Sequence, residues 1–287
     1  MAGEAVARWR EFVEARRRQM DAAYARLNRS SADYWARRAQ RFRQGHTVID
    51  MEAPLVQRVN ALLPPGGTVL DVGAGTGRFA LPIARFARRI IALEPAEAML
   101  AALAESARTA GLSNIETVQS GWLEAEASVP PADIVLCAHV LYPHAEIDRW
   151  IATLDAHARR AVVIETVVRW IDPDVLNDLW RRFHGDERIG QPGLAELYAV
   201  LLEMGIPANV KIYRQPSTLW RFTSLDEAVD VAREHVIVAE SPENDAIIRD
   251  ALAAALRPEG EALALPYDRI VACVWWEREG PRLPALA

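Results

Sequence analysis

Thr68-Val69-Leu70-Asp71-Val72-Gly73-Ala74-Gly75-Thr76-Gly77 is the stretch that decides the fold. A short apolar run ends in an acid, then in three alternating glycines, and Arg78 and Phe79 open a helical pattern. The spacing predicts a strand that turns sharply into a helix. Glycine has no Cβ, so such a turn lets backbone approach a ligand, and the helix start adds unpaired N–H groups. Dinucleotide-binding turns space their glycines GxGxxG around a pyrophosphate, whereas this one reads GxGxG with Asp71 two residues ahead. A carboxylate there repels a pyrophosphate and suits a cationic ligand.

Working outward, short apolar runs at 69–72, 90–93, 115–118, 134–138 and 161–166 alternate with helical patterns near 78–87, 96–110 and 147–157. That alternation predicts an α/β fold with a doubly wound, mostly parallel sheet, whose ligands lie outside the carboxyl ends of the strands. Runs at 209–213 and 269–276 bring the sheet to seven strands. Before the last of them lie helical patterns at 194–204, 225–235 and 245–256, with a long connection over 170–190. Ahead of the sheet, one amphipathic helix runs from Val6 to the turn at Asn28, a second follows Ser31, and a third spans about 50–62. The expected division is 1–66 as a helical extension or lid, 67–168 as the ligand-binding core, and 169–287 as completion of the sheet with a helical insertion.

The segment 68–77 resembles motif I of the class I S-adenosylmethionine-dependent methyltransferases, a Rossmann-like family. The resemblance extends over roughly residues 68–167. It implies that Asp71, Gly73, Ala74, Gly75 and Gly77 shape the turn around the methionine end of S-adenosyl-L-methionine. It further implies that Glu94, closing the second strand before Pro95, accepts hydrogen bonds from both ribose hydroxyls, with Met99 nearby. One position departs from the pattern: where many members carry an acid for the adenine amino group, this chain reads Gly121-Trp122. Adenine recognition then passes to the Trp122 backbone and indole or to Glu124, the alternative for Trp122 being a packed core aromatic.

Transfer of a methyl from a sulfonium has a leaving group that is already activated, so positioning and desolvation can carry it. His139 ends the fourth strand at the cofactor edge with Tyr142 just beyond, and Glu165 ends the fifth. These three are the candidate catalytic residues, His139 because imidazole titrates near neutrality. His144, His184 and the pair Tyr34-Trp35 are candidates for the substrate chamber or lid. The segment Cys137-Ala138-His139-Val140 is neither the Asn-Pro-Pro-Tyr type of adenine and glutamine N-methylation nor the Pro-Cys of cytosine methylation. A small-molecule acceptor is expected, and no metal.

The 287 residues carry a formal charge of −6 at pH 7, so there is no strong nucleic-acid signal. Cys137 and Cys273 sit in apolar runs that read as buried strands, which suits a reducing cytoplasm. No membrane segment is read, and a homodimer through the long first helix stays open. The rival readings are a non-catalytic cofactor-binding protein, an RNA methyltransferase and an NAD-dependent oxidoreductase.

Overall fold

Apolar strand sequences with few polar breaks need cover on both faces, and that is how they are used here. In a computed structural model describing residues 3–29, 49–216 and 220–284, seven strands pair in the order β3-β2-β1-β4-β5-β10-β6. These are β1 (Thr68–Val72), β2 (Arg89–Leu93), β3 (Ile115–Val118), β4 (Ala132–Ala138), β5 (Ala158–Val167), β6 (Asn209–Pro216) and β10 (Asp268–Glu277). The first five are mutually parallel, and β10 runs antiparallel between β5 and β6. The predicted doubly wound, mostly parallel seven-stranded sheet is the one observed.

One face is covered by α1 (Glu4–Ala25), α6 (Ile147–His157) and α8 (Leu194–Glu203), which press Trp9, Ile151 and Leu201 onto Leu70, Val162 and Val274. The other takes α2 (Pro54–Leu62), α3 (Ala80–Ile83) and α4 (Glu97–Thr109), burying Val59, Ile83 and Leu103 against Ile90, Leu136 and Val163. A four-residue helix, α5 (Trp122–Ala125), follows β3.

Several boundaries differ from expectation. The helix placed at 78–87 is regular only over Ala80–Ile83, because Arg85 and Phe86 donate to Pro82 and Ile83 in tighter three-residue turns. The helix placed at 50–62 starts at Pro54, whose missing N–H is no loss in a first turn. The long connection contains a full helix, α7 (Asp174–His184), bracketed by Pro173 before it and left-handed Gly185 after it. The second N-terminal helix, with Tyr34 and Trp35, lies outside the described residues.

A smaller core stands on the carboxyl edge of the sheet. It joins α7, α9 (Leu225–Val236), α10 (Pro242–Ala255) and a small sheet ordered β7 (Arg221–Phe222), β9 (Ala262–Ala264), β8 (Arg257–Glu259) around Leu179, Trp220, Val229, Ile248 and Leu252. Topology dictates its place: β5 and β6 deliver their carboxyl ends to this edge, and β10 starts from it. Ser224 and Ser241 cap α9 and α10 by accepting the N–H groups of Glu227 and Asn244, both at 3.1 Å. A buried ionic knot ties the smaller core down, with Arg188 Nη1 donating to Asp172 Oδ2 at 2.8 Å and His235 Nε2 3.2 Å from Asp172 Oδ1.

The first helix is more than a detachable lid. Its start is pinned where the Ala5 N–H donates to Glu203 Oε2 at 2.7 Å. Val6, Trp9 and Val13 belong to the main core, and Ala23 and Tyr24 pack with Trp180 and Ile237 beneath the smaller one. It is a strut joining the two cores, so removing it exposes core side chains.

Candidate active site

The glycine turn leaves β1 and is stitched at once to β2, Gly73 N–H and Ala74 N–H both donating to Leu93 O at 2.8 and 3.0 Å. Gly73, Gly75 and Gly77 all have left-handed φ, of +74°, +54° and +88°. Their reasons differ. A Cβ on Gly73 would stand 2.3 Å from Val140 Cγ2, and one on Gly77 would stand 2.2 Å from Leu103 Cδ1, so these two allow close packing. A Cβ on Gly75 would meet only Met99 Sδ, at 3.7 Å, and otherwise points into open space.

Glu94 closes β2 and reaches that space. Its Oε2 accepts the Gly75 N–H at 3.1 Å and its Oε1 accepts the Ala96 N–H at 3.0 Å. Each carboxylate oxygen keeps a further lone pair for a hydroxyl donor. Asp71 lies buried behind it with no ion-pair partner among the described residues, while Pro95 is exposed and Met99 buried. Burial first, and the Glu94 charge second, push Asp71 up to about 7.

At the end of β3 the structure separates two expectations. The Trp122 indole is buried in the main core and meets His157 edge-on at 4.9 Å, so its face is not offered to a ligand; the core alternative holds. The Glu124 carboxylate instead folds back over Gly121, 2.1 Å from where a Cβ would stand. Glu124 and the Trp122 backbone N–H are what this edge presents.

Beyond β4 the chain turns at His139, whose φ of +59° is unusual without glycine. Its N–H donates to Glu165 O at 2.8 Å, and the turn carries Val140 onto Gly73. The imidazole is held at both nitrogens, Nδ1 2.8 Å from the Tyr142 hydroxyl and Nε2 2.9 Å from Glu165 Oε1. The Val167 N–H donates to the Tyr142 oxygen at 3.0 Å, so the phenol proton is free to go to Nδ1 and Nε2–H to Glu165. Burial holds His139 below its ordinary range, against the pull of Glu165, and pushes Tyr142 up to about 12. Burial alone would raise Glu165; the hydrogen bonds and charges of His139, with Arg78 and Gln215, outweigh it and hold Glu165 low. Glu165 also accepts from Tyr213 Oη, and from Gln215 Nε2 at 3.4 Å. Sequence reasoning missed Tyr213, Gln215 and Arg269, because only the strand order brings β10 beside β5 and β6 just beyond it, and it passed over Arg78, which follows Gly77 directly.

Two histidines proposed for the substrate chamber are used otherwise. His144 stacks on Trp150 at 3.9 Å, its carbonyl accepts the Trp9 indole N–H, and burial lowers it to about 4. His184 receives Arg26 on Nδ1 and faces Val236 O with Nε2 at 2.7 Å, which locks α7 to α1 and α9. Both rings are taken up in packing between helices.

Residues 69–162 match the methyltransferase domain family. The chain carries a class I S-adenosylmethionine-dependent methyltransferase domain. An uncharacterised protein of Haemophilus influenzae is 30% identical over 161 residues, 55% of this chain and 58% of that one. A 23S rRNA (uracil(1939)-C(5))-methyltransferase of Pseudomonas fluorescens is 34% identical over 110 residues, 37% of this chain but 24% of that one. The chain thus spans under two thirds of the length of both of these curated relatives. In fold, a methyltransferase-like protein from Bacillus halodurans superposes with a TM-score of 0.54 at 13% identity, covering 79% of this chain and all of that one. Among the described residues no helix is long and apolar enough to cross a membrane.

The residues fit the family's cofactor. Open space at Gly75 is the cradle that a side chain would fill, Glu94 offers acceptors to adjacent hydroxyls, and Asp71 is a buried carboxyl whose ionised form a cationic ligand would favour. A testable pH dependence follows. With Asp71 at about 7, the free protein holds a proton there below neutrality, and a sulfonium ligand favours the ionised form. Cofactor binding therefore releases a proton, and calorimetric affinity for S-adenosylmethionine should rise about fivefold from pH 6 to 7 and about tenfold by pH 8. For the ligand-free protein the sign is opposite. Stability from protonated Asp71 is fully present below pH ~4 and is lost as pH rises through about 7. Flat affinity between pH 6 and 8 would show that Asp71 does not sense the ligand.

Proposed function

We propose that this chain transfers the methyl group of S-adenosyl-L-methionine to a small-molecule acceptor bound at the carboxyl edge between β4, β5, β10 and β6. The observation that carries the reading is the Glu94 carboxylate, which accepts the N–H of Gly75, the one glycine of the turn whose Cβ position is open. The cofactor supplies an electrophilic methyl on a cationic sulfur. In this reading Asp71 and Glu94 hold the charge and the ribose, Gly75 admits the ligand, and Glu124 with the Trp122 N–H faces the adenine. His139, Tyr142 and Glu165 act as positioning residues. Because Tyr142 fills the Nδ1 lone pair, a general-base role for His139 would require that bond to break. A rigid, water-poor wall is sufficient for a displacement that depends on alignment.

An RNA acceptor, as in the name of the Pseudomonas relative, has less support. The net charge is negative, and both cysteines are buried in strands with burial pushing their thiols up, so neither is a ready nucleophile toward a pyrimidine. The oxidoreductase reading falls with the family assignment. Replacement of Glu94 by Ala should weaken S-adenosylmethionine by about 1.5–3 kcal/mol in calorimetry, the worth of hydrogen bonds to a charged group. Affinity equal to wild type would overturn the ribose assignment. Label transfer from methyl-tritiated cofactor into a metabolite pool tests the activity itself and separates an enzyme from a binding protein.

A further inference from the structure

We propose that the acceptor carries an oxyanionic group, a carboxylate or a phosphate, received by Arg78 and Arg269 beside the His139–Glu165 pair. The proposal deepens the methyltransferase reading and rests on it. Arg269 begins β10 on the face that carries Glu165: Cys273 is in register with Glu165, and Arg269 lies four residues earlier, opposite Gln215. Its Nη2 donates to Gln215 Oε1 at 3.0 Å, and Gln215 passes the contact on to Glu165. Its Nε is buried with no partner among the described residues. Arg78 follows Gly77 directly, so the cofactor turn itself fixes its place. Arg78 is half-buried, rests over the Phe79 ring at 4.9 Å, and makes no ion pair among the described residues.

Two sheltered arginines elsewhere in the protein are paired with carboxylates. Arg188 has Asp172 at 2.8 Å, and Arg233 has Asp245 at 2.8 Å. At this edge the charges of Arg78 and Arg269 both act on His139, and the one carboxylate beside it, Glu165, has its oxygens already engaged by His139, Tyr213 and Gln215. Asp50, the other anion acting on Arg78 among the described residues, is exposed and accepts the Glu52 N–H. A guanidinium held out of water without a counter-ion is costly, and an oxyanion with two or three acceptors matches its donors. Arg78 beside the cofactor turn and Arg269 at the start of β10 would hold the two ends of such a group. A neutral amide or ester would leave them unmet.

The test uses the full chain saturated with S-adenosylhomocysteine. The probes are small hydroxy and amino acids, each paired with its methyl ester or amide, together with phosphorylated counterparts of similar size. Binding is read by thermal shift and calorimetry, and transfer by tritium. The acids or the phosphates should bind and their neutral partners should not, and the arm that binds names the oxyanion. Replacing Arg269 with Gln should raise the Kd and KM for the anionic probe about 10- to 100-fold with a smaller change in kcat, and Arg269→Lys should recover part of it. Arg78→Gln is the second variant should Arg269→Gln fold poorly by circular dichroism. Equal binding of acids and neutral partners, no binding of any anionic probe, or unchanged affinity in a folded Arg variant each overturns the proposal. Failure of the wild type to bind S-adenosylhomocysteine would instead sink the methyltransferase reading.

Discussion

Replacing Glu165 with Ala should lower the melting temperature by about 10 °C and the specific activity by about a hundredfold or more. Glu165 is 1% exposed and accepts from His139, Gln215 and Tyr213. Truncation leaves those donors buried without an acceptor and removes the charge facing Arg78, a loss of about 3–5 kcal/mol by analogy with broken buried pairs. The activity loss follows because the wall that positions the acceptor collapses with it. Glu165→Gln keeps the volume and one carbonyl oxygen and should cost about 1–2 kcal/mol. Its pH profile is diagnostic. A carboxylate held below its ordinary range contributes stability that is present above pH ~4.3 and disappears as pH falls through the folded value. The difference between wild type and Glu165→Gln should thus be constant from pH 6 to 8 and close in acid. An Ala variant that melts within about 2 °C of wild type would show that the network does not hold the edge together.

Gly75→Ala should weaken S-adenosylmethionine at least a hundredfold, about 2.7 kcal/mol, while the protein still folds. The added Cβ meets only Met99 Sδ at 3.7 Å, so the fold loses only the cost of a left-handed alanine, roughly 1–2 kcal/mol. Gly73→Ala and Gly77→Ala should behave in the reverse order. Their Cβ atoms collide with Val140 and Leu103 at 2.3 and 2.2 Å, so stability falls by about 2–4 kcal/mol from strain and overpacking together. Melting curves and calorimetric titrations on the three variants separate the roles. Cofactor affinity within threefold of wild type in Gly75→Ala would refute the cradle.

Much of this molecule is legible from short-range pattern. The strand-turn-helix at 68–80 is specified by apolar residues feeding glycines, and the acid ending the second strand follows from the same local unit. α6 falls at its predicted bounds because Ile147, Trp150, Ile151 and Leu154 recur at helical spacing and are all buried. α7 was missed although Pro173 and Gly185 mark its ends, because its polar residues masked a stripe made only by Leu176, Leu179 and Trp180. The small sheet was missed because strands of two or three residues carry no period.

What the sequence determined by itself is the doubly wound sheet and the glycine turn with Asp71 and Glu94. The turn rests on contacts within one βαβ unit and the sheet on a succession of such units, where spacing along the chain maps onto spacing in space. Only the tertiary structure decided what each polar side chain does. His139, Glu165, Tyr213, Gln215 and Arg269 come from four elements separated by up to 130 positions, and they meet because β10 inserts antiparallel between β5 and β6. His144 and His184 read in one dimension as candidates for the substrate chamber, yet packing turned them onto Trp150 and Trp180. Hydrogen-bond partners, burial and the charges that face one another are properties of that assembly, and no local pattern encodes them.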